Sequence, residues 1–358
     1  MIKLPGSFPF APLVLLIRMA WKNGGISFGR TPLFVAYILR FLLLEPFRLF
    51  ELIVYHRKIK AHKIKKPPIF ILGYWRSGTS FLQGLLCEDP NLTSSTIFRS
   101  LFPDIFLLTE RWLKPIFNST CKLFRIPYSI QRTSLDLNFC SEADMALMSL
   151  TSANSYTWGQ LFPKHFTGWL DRLILLKDKQ ILDEWINDYD YFIRKISLQA
   201  NGKQVLIKSP GDTARVQQLL KKYPDAKFIY IHRDPVGVYN SNLYFWNVLQ
   251  RENCLQKISS QEIDELIIQS YRKIIQQYFA TRQLIPDSQL YEVSFEQLIQ
   301  DPFSNLKKVY EALQLDTFPE KEIRAFLADY KIPKPGEYEK SDVLRERLKS
   351  EWPFPPNH

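Results

Sequence analysis

Cysteine, glycine and acidic residues are all scarce in this sequence. Its 358 residues include 4 cysteines and 13 glycines, and 36 acidic residues stand against 47 lysines and arginines. The cysteines are widely scattered, with no CxxC pair and no Cys/His spacing suited to zinc, so we expect four separate thiols, a reducing compartment and no metal. The formal charge of +11 is compatible with nucleic acid, an anionic membrane surface or an anionic small substrate as partner.

The N-terminal part lacks an apolar run without charges. Residues 33–55 are apolar overall but contain Arg40, Glu45 and further charges, and an arginine in hydrocarbon costs about 3 kcal/mol. Six cations follow within residues 57–66. This pattern favours a helix in the membrane interface beside anionic lipid, or a helix that caps the core before a solvated linker. We treat residues 1–66 as an N-terminal helical, membrane-proximal segment of a cytoplasmic protein.

Three short apolar segments end in polar residues and are followed by helical patterns. They cover residues 69–72, 204–207 and 227–231. This alternation predicts an α/β, P-loop-like three-layer fold: a central parallel sheet flanked by helices, with ligands at the carboxyl ends of the strands. The aromatic-rich residues 91–200 form a large helical insertion on the acceptor side. The domain extends over residues 67–331, and residues 332–358 are a Pro-rich C-terminal extension.

The segment from Gly73 to Ser80 has the glycine spacing of a phosphate-binding loop. It lies between a predicted strand and a predicted helix, where backbone N–H groups and the helix dipole attract anions. Loops that bind ATP or GTP carry lysine after the second glycine, whereas this chain has Thr79 there and places its cation at Arg76. The loop therefore indicates an anion other than an ordinary nucleoside triphosphate. The alternative is a tight turn with a surface arginine.

A second candidate anion site combines Arg233 and Ser241. They are eight residues apart and bracket a strand end and the second turn of the next helix, so both would point at one anion. The alternative for Arg233 is an ion pair with Asp234. Lys208 closes the middle strand at the same edge of the sheet, and its alternative is a solvated lysine in a helix-capping turn.

The segment Arg76-Ser77-Gly78-Thr79-Ser80 resembles the 5'-phosphosulfate loop, R/K-S-G-T-T/S, of sulfotransferases that use 3'-phosphoadenosine-5'-phosphosulfate (PAPS). Residues 67–80 resemble especially the broad, largely bacterial branch of this family. The resemblance extends over about residues 67–312. It implies a sulfotransferase domain, PAPS as donor, adenosine 3',5'-bisphosphate (PAP) as product, and no metal.

The resemblance also implies residue roles. Arg76 would contact the bridging oxygen and the sulfuryl group, and Thr79 and Ser80 of the loop would bind the 5'-phosphate. Arg233 and Ser241 would bind the 3'-phosphate. Lys208 is then a second cation at the transition state. Phe81 stands where related enzymes stack a tryptophan on adenine, and Phe295 replaces a tyrosine of the family pattern Y-E-D-L-x-x-D-P.

Sulfuryl transfer needs a base that removes the proton of the acceptor. Glu142 and Asp144 are candidates because their segment resembles the acidic E-D-E-x-A-L run of the family, although Ala143 replaces its middle acid. Neighbours two positions apart diverge on a helix, so the two carboxylates do not both face one substrate, and we favour Glu142. His165 is the remaining candidate.

The predicted function is transfer of a sulfuryl group from PAPS to a hydroxyl of a small-molecule or lipid acceptor. A lipid or other amphiphilic alcohol is favoured, while carbohydrate and phenol remain open. A P-loop kinase or ATPase is the nearest alternative, and Thr79 counts against it. A non-catalytic, membrane-associated nucleotide-binding protein is a further alternative. Nucleic acid is not an expected partner, because the cations are not interleaved with aromatic residues on one surface.

Overall fold

A computed structural model describes residues 11–128, 133–150, 154–329 and 342–352. The chain divides into two compact units. The first comprises Met1–Ile64, Ser95–Asn201 and Phe245–Ser260, and the second comprises Lys65–Ser94, Gly202–Tyr244 and Gln261–His358. Of the predicted Pro-rich extension, only residues 342–352 are described, and Asp342–Glu351 form a helix; its five prolines lie outside the described residues.

The described residues form the following helices and strands, numbered in chain order. The helices are α1 (Ala11–Lys22), α2 (Thr31–Ala61), α3 (Thr79–Cys87), α4 (Ile97–Leu101), α5 (Phe106–Leu123), α6 (Ala143–Ser149), α7 (Thr157–Leu161), α8 (Phe166–Leu173), α9 (Lys179–Gln199), α10 (Val216–Lys222), α11 (Pro235–Glu252), α12 (Ser260–Thr281), α13 (Phe295–Gln300), α14 (Pro302–Ala312), α15 (Glu320–Asp329) and α16 (Asp342–Glu351). The strands are β1 (Ile69–Leu72), β2 (Leu92–Ser94), β3 (Pro127–Tyr128), β4 (Thr133–Ser134), β5 (Gln204–Lys208), β6 (Lys227–His232) and β7 (Leu290–Ser294).

The second unit is built on a five-stranded sheet with the order β2-β5-β1-β6-β7. Every neighbouring pair is parallel, and Ile71 of β1 is in register with Lys208 of β5 and Ile229 of β6. All four residues of β1 are buried, as expected for a strand covered on both faces. The predicted α/β architecture with a central parallel sheet is therefore confirmed.

Three short strands within residues 91–200, namely β2, β3 and β4, were missed by sequence reasoning. Residues 91–200 were assigned to a helical insertion, but β2 lies within them and pairs with β5, where Thr93 is in register with Val205. A strand of three residues is too short to show a period in sequence. The pattern of residues 213–222 predicts one helix, but α10 is shorter than that because a 3₁₀ turn, Pro210–Ala214, precedes it.

Local capping explains where several helices of the second unit begin. Asp301 precedes α14, and its carboxylate accepts a hydrogen bond of 3.0 Å from the backbone N–H of Ser304, with Pro302 at the first helical position. Ser294 and Gln297 form a capping box at the start of α13. The apolar faces of α3, α13 and α14 then pack with β1, β6 and β7 into one buried cluster.

The first unit is mainly helical, and its core is rich in large aromatic side chains, including the fully buried Trp158 and Trp185. The helical character predicted for most of residues 91–200 is visible in α4 to α9. The N-terminal segment is also helical, since α2 extends over 31 residues with Pro46 inside it. None of the described helices combines the length and the apolar character needed to cross a membrane.

The cysteines differ from the expectation of four thiols. Cys121 and Cys254 are buried free thiols, as predicted. Cys87 and Cys140 are in the disulfide-bonded form, so the prediction was wrong for these two residues. Sequence spacing does not reveal which cysteine side chains the fold places within bonding distance.

Candidate functional site

The loop between β1 and α3 has a backbone that requires glycine at both of its ends. Gly73 and Gly78 both have positive φ angles, +148° and +102°. A Cβ atom added to Gly78 would lie 2.3 Å from Cδ2 of Phe295, so no other residue fits at this position without displacing that ring. Arg76 also has a positive φ, of 68°. The predicted phosphate-binding loop is thus a tight, irregular turn that leads into the N-terminus of a helix.

Side chains from distant parts of the second unit brace this loop. The backbone N–H of Gly73 donates to Oγ1 of Thr213 at 2.8 Å, and Nδ2 of Asn242 donates to the carbonyl of Trp75 at 2.9 Å. Within the loop, Oγ of Ser77 donates to the carbonyl of Tyr74 at 2.7 Å. Sequence reasoning missed Thr213 and Asn242, because their function appears only when the strands are brought together.

The two predicted anion sites meet in the structure. Nε of Arg76 donates to Oγ of Ser241 at 2.9 Å, and Nη1 of Arg233 donates to the carbonyl of Arg76 at 3.3 Å. Ser241 is 4% exposed, and both guanidinium groups are half-buried. Arg76, Arg233 and Ser241 therefore form one continuous cluster, which we call the arginine cluster.

Arg233 lies directly after β6, and its surroundings differ from a surface ion pair. Its guanidinium carbon lies 4.6 Å from the centre of the Phe295 ring. The carboxylate of Asp234 instead accepts from the backbone N–H of Gly237 at 2.8 Å and caps α11. In the parts of the chain that the structure describes, no carboxylate forms a salt bridge with Arg233. A Cβ on Gly237 would lie 3.0 Å from Nε of Arg233, so the glycine makes room for the arginine.

Lys208 is the last residue of β5 and is 3% exposed, which rules out a lysine in solvent. Its Nζ lies 3.4 Å from Oγ of Ser80, an exposed residue in the first turn of α3. The structure thus brings Lys208 to the start of α3. Because it lies at the sheet edge where β1 also ends, its ammonium adds positive charge beside the loop.

The remaining loop residues differ in their exposure. Ser77 and Thr79 are buried, at 2% and 4% exposure. Phe81 is 5% exposed and packs in the apolar cluster of β1, α3 and α14, so its predicted stacking on adenine stays a prediction. Ser80 is the residue whose side chain is open to solvent at this helix start.

The candidate bases belong to the first unit. Glu142 precedes α6 and is half-buried, and the hydroxyl of Tyr156 donates to its Oε2 at 3.2 Å. Asp144 is fully buried, and its backbone carbonyl accepts hydrogen bonds from Ser155 and Thr157. His165 is exposed at the end of a 3₁₀ turn. Glu142 and Asp144 therefore have different surroundings, in line with the predicted divergence of neighbours two positions apart.

The second-unit site concentrates positive charge, which suits an anionic ligand. Two guanidinium groups, one ammonium group and the N-terminus of α3 are gathered at the carboxyl ends of β1, β5 and β6. Within the described ranges, no group of three or more His, Cys, Asp or Glu side chains is arranged to hold a metal. This fold and this site define an α/β protein with a phosphate-binding loop that has arginine in place of the lysine of triphosphate enzymes.

Comparisons with known proteins identify the family. The model of the sulfotransferase family matches residues 67–320. The omega-hydroxy-beta-dihydromenaquinone-9 sulfotransferases Stf3 of Mycobacterium bovis and Mycobacterium tuberculosis are each 29% identical over 308 residues, which cover 85% of this chain and 78% of the relative. The chain belongs to the sulfotransferase family. It is an enzyme that transfers a sulfuryl group to an acceptor hydroxyl.

Two crystal structures show the same fold. Sulfotransferase STF9 from Mycobacterium avium matches with a TM-score of 0.71 and 17% identity, over 98% of this chain and 92% of that one. Sulfotransferase STF1 from Mycobacterium tuberculosis H37Rv matches with a TM-score of 0.67 and 17% identity, over 97% and 93%. Both alignments extend beyond the family model at the two ends of the chain.

Proposed function

We propose that the sulfuryl donor is PAPS. The observation that supports this most strongly is the arginine cluster beside the phosphate-binding loop. A simple phosphate needs one such group of donors, whereas PAPS carries a phosphosulfate at the 5' position and a separate phosphate at the 3' position. A second guanidinium close to the loop, without a carboxylate partner in the described chain, matches that second phosphate.

The resemblance to the family implies a role for each residue, and the observed positions are compatible with these roles. Backbone N–H groups at the start of α3, with the hydroxyls of Thr79 and Ser80, bind the 5'-phosphate, and Gly78 makes room for the Phe295 ring that packs against the turn. Arg233 and Ser241 bind the 3'-phosphate. Ser77 keeps the loop closed through its hydrogen bond to Tyr74.

When bound, PAPS supplies a sulfuryl group joined to phosphate through an anhydride oxygen, which carries away negative charge as the S–O bond breaks. Arg76 and Lys208 stabilise that charge, because they place a guanidinium and a buried ammonium beside the loop. Ser241 holds the guanidinium of Arg76 in one orientation through its hydroxyl.

We propose Glu142 as the base that accepts the proton of the acceptor hydroxyl. Its carboxylate is half-buried and is oriented by the hydroxyl of Tyr156, while Asp144 is fully buried and His165 is exposed. The matched variants are Glu142→Gln, Asp144→Asn and His165→Ala. Only the first is expected to remove the acidic limb of the pH–rate profile. Loss of that limb in Asp144→Asn would assign the base to Asp144 instead.

We propose a lipid-like alcohol as acceptor, in which the hydroxyl is carried by a long apolar molecule. The 29% identical relatives are named for such a substrate, a hydroxylated menaquinone. Incubation with labelled PAPS and a membrane-lipid extract, followed by mass spectrometry, should reveal a sulfated product in the organic phase. Label confined to water-soluble products would refute the lipid acceptor without affecting the proposed donor.

The donor is tested by thermal shift with PAP, adenosine 5'-phosphate and ATP. We expect PAP to raise the melting temperature far more than the other two, because only PAP carries both a 5'-phosphate for the loop and a 3'-phosphate for Arg233 and Ser241. A larger shift with ATP would favour a kinase or ATPase. Binding of PAP without turnover on any acceptor would favour the non-catalytic alternative.

A further inference from the structure

Helix α2 of the first unit buries charged residues and exposes apolar ones, which is the reverse of an ordinary surface helix. Its buried residues include Glu45, Arg48 and Glu51, whereas large apolar residues are exposed to solvent. The buried charges are paired: Arg48 donates to Glu45 through Nε at 2.9 Å and Nη2 at 2.6 Å, and Glu51 forms a salt bridge with Lys195. A surface helix normally turns its charges to water and its apolar side chains to the core.

The exposed apolar residues of α2 form one stripe. At 100° per residue they lie within an arc of about 140°, and they extend over about 27 Å of the helix axis. The members of the stripe and their exposed fractions are Val35 (44%), Leu39 (53%), Leu42 (41%), Leu43 (73%), Phe47 (42%), Phe50 (58%) and Ile53 (79%). Scattered single apolar residues on a surface are ordinary, but a continuous stripe marks an interaction surface.

Helix α5 continues this surface. The rings of Phe47 on α2 and Trp112 on α5 are neighbours, with centroids 6.2 Å apart. Beyond Trp112, which is 47% exposed, α5 and the residues after it present further large apolar side chains to solvent. These are Ile116 (58%), Phe117 (37%), Leu123 (76%) and Phe124 (70%). We call the exposed apolar residues of α2 and of residues 112–124 the apolar face.

The charges of the two helices indicate what covers this face. The acidic residues of α2 and α5 are Glu45, Glu51 and Glu110, and all three are buried. The charged residues that these helices expose are all basic: Arg57, Lys58, Lys60, Arg111 and Lys122. Two copies of such a surface would repel each other, whereas an anionic bilayer offers an apolar interior and negative headgroups.

We propose that the apolar face lies in the headgroup region of an anionic membrane, with the basic residues of α2 and α5 in contact with lipid phosphates. The helices rest in the interface, because the buried charges of α2 hold its other side on the protein. This inference is independent of the proposed donor, since vesicle binding requires no turnover.

Vesicle flotation tests the inference. The full chain is mixed with vesicles of phosphatidylcholine alone or of phosphatidylcholine with phosphatidylglycerol. We expect flotation with the anionic vesicles and weaker binding to the neutral ones, with loss of binding as salt rises. The triple variant Leu43→Glu, Phe50→Glu, Ile53→Glu should bind anionic vesicles at least about tenfold more weakly, since it places three carboxylates in the apolar stripe.

A matched control places the same residue type on exposed apolar positions elsewhere. Val343 and Leu284 are 81% and 46% exposed, and the double variant Val343→Glu, Leu284→Glu should float like the wild type. All variants should keep the wild-type melting temperature and the PAP shift, because the replaced side chains are exposed. Equal flotation of the triple variant and the wild type, or no flotation of the wild type, would overturn the inference. So would a wild-type dimer that the triple variant dissociates, seen by analytical ultracentrifugation without vesicle binding.

Discussion

Arg76 occupies the position at which this loop departs from those of triphosphate-binding enzymes. Its positive φ angle and its hydrogen bond to Ser241 fix the guanidinium beside the start of α3. A lysine after the second glycine would extend from the helix itself, whereas Arg76 extends from the turn before it. The side chain is therefore positioned by the loop and by α11, through Ser241.

The first prediction concerns Arg76. The variant Arg76→Ala should lower kcat by about 10²- to 10³-fold, because it removes a cation that acts on charge developing in the transition state. Arg76→Lys retains the charge and should restore part of the rate. Steady-state kinetics with labelled PAPS measure both variants. An unchanged kcat in Arg76→Ala would remove this residue from the chemistry.

The second prediction concerns Arg233. The variant Arg233→Ala should weaken binding of PAP by about 10- to 100-fold, the effect of losing a charge-assisted hydrogen bond. Affinity for adenosine 5'-phosphate, which lacks the 3'-phosphate, should remain the same. Calorimetry with both nucleotides measures the difference. Equal losses for the two ligands would show that Arg233 supports the loop through the Arg76 carbonyl and does not recognise the 3'-phosphate.

At the scale of elements, the turn between β1 and α3 depends on close packing against Phe295. The variant Gly78→Ala should destabilise the protein by about 1–3 kcal/mol or more, because φ is +102° and the new Cβ meets the ring at 2.3 Å. Gly84 lies inside α3, and a Cβ there would meet only Phe326, at 3.9 Å. Gly84→Ala should stabilise by up to about 1 kcal/mol. Urea unfolding measures the free energy of unfolding of the two variants, and a similar loss of stability in both would contradict the role of Gly78.

Helix α16 is attached to α12 by a ring stack and an ion pair. Trp352, just after α16, stacks on Tyr271 with centroids 3.8 Å apart, and Arg347 donates to both carboxylate oxygens of Asp264. Tyr271 in turn meets Tyr74 of the phosphate loop edge to face, at 5.0 Å. Helix α16 is therefore linked to the phosphate loop through the contacts of Trp352 with Tyr271 and of Tyr271 with Tyr74.

The fourth prediction tests this support. Trp352 is 3% exposed, so Trp352→Ala should destabilise by about 3–5 kcal/mol and lower the affinity for PAP. Trp21 is 81% exposed, and Trp21→Ala should change stability by less than about 0.5 kcal/mol. Thermal unfolding with and without PAP measures both effects. If the Trp352→Ala protein bound PAP with wild-type affinity at a temperature where it is folded, α16 would have no role in supporting the loop.

For the whole molecule, the dependence of stability on pH follows from protons bound on folding. Desolvation raises the pKa of Asp104 from 3.8 to about 6, against the attraction of Lys195 and Arg48. The folded state thus disfavours the carboxylate. This penalty is fully present above pH 6 and decreases as the pH falls from 6 towards 4, where the unfolded chain is also protonated.

The variant Asp104→Asn should therefore be more stable than the wild type at pH 8, by up to about 3 kcal/mol. The difference should shrink as the pH approaches 4.5. Urea unfolding of both proteins at pH 8, 6 and 4.5 measures it. A difference that does not change with pH would show that Asp104 is not desolvated as a carboxylate.

Three strands of the sheet and the cations of the second-unit site were predictable, because their signals are local. A run such as Ile69–Leu72 can be buried on both faces, and the glycines of the adjoining loop permit the positive φ angles that its turn contains. Arg76 was a candidate because it lies in the glycine-spaced loop, and Lys208 and Arg233 were candidates because they follow or close parallel strands that end at one edge of the sheet. Thr213 and Asn242 escaped prediction, since a hydroxyl and an amide in a helical pattern look alike whether they brace a loop or face water.

The amino-acid sequence by itself determined the strands β1, β5 and β6, the glycine turn and the identity of the cations, because each depends on neighbours within a few residues. Only the tertiary structure decided that Arg76 contacts Ser241, that Lys208 reaches Ser80, and that α2 buries its acids and exposes its apolar residues. The physical reason is that these outcomes depend on which surfaces meet in the folded protein. The sequence of α2 shows apolar residues on one side and charges on the other, but it does not show which side packs against the protein.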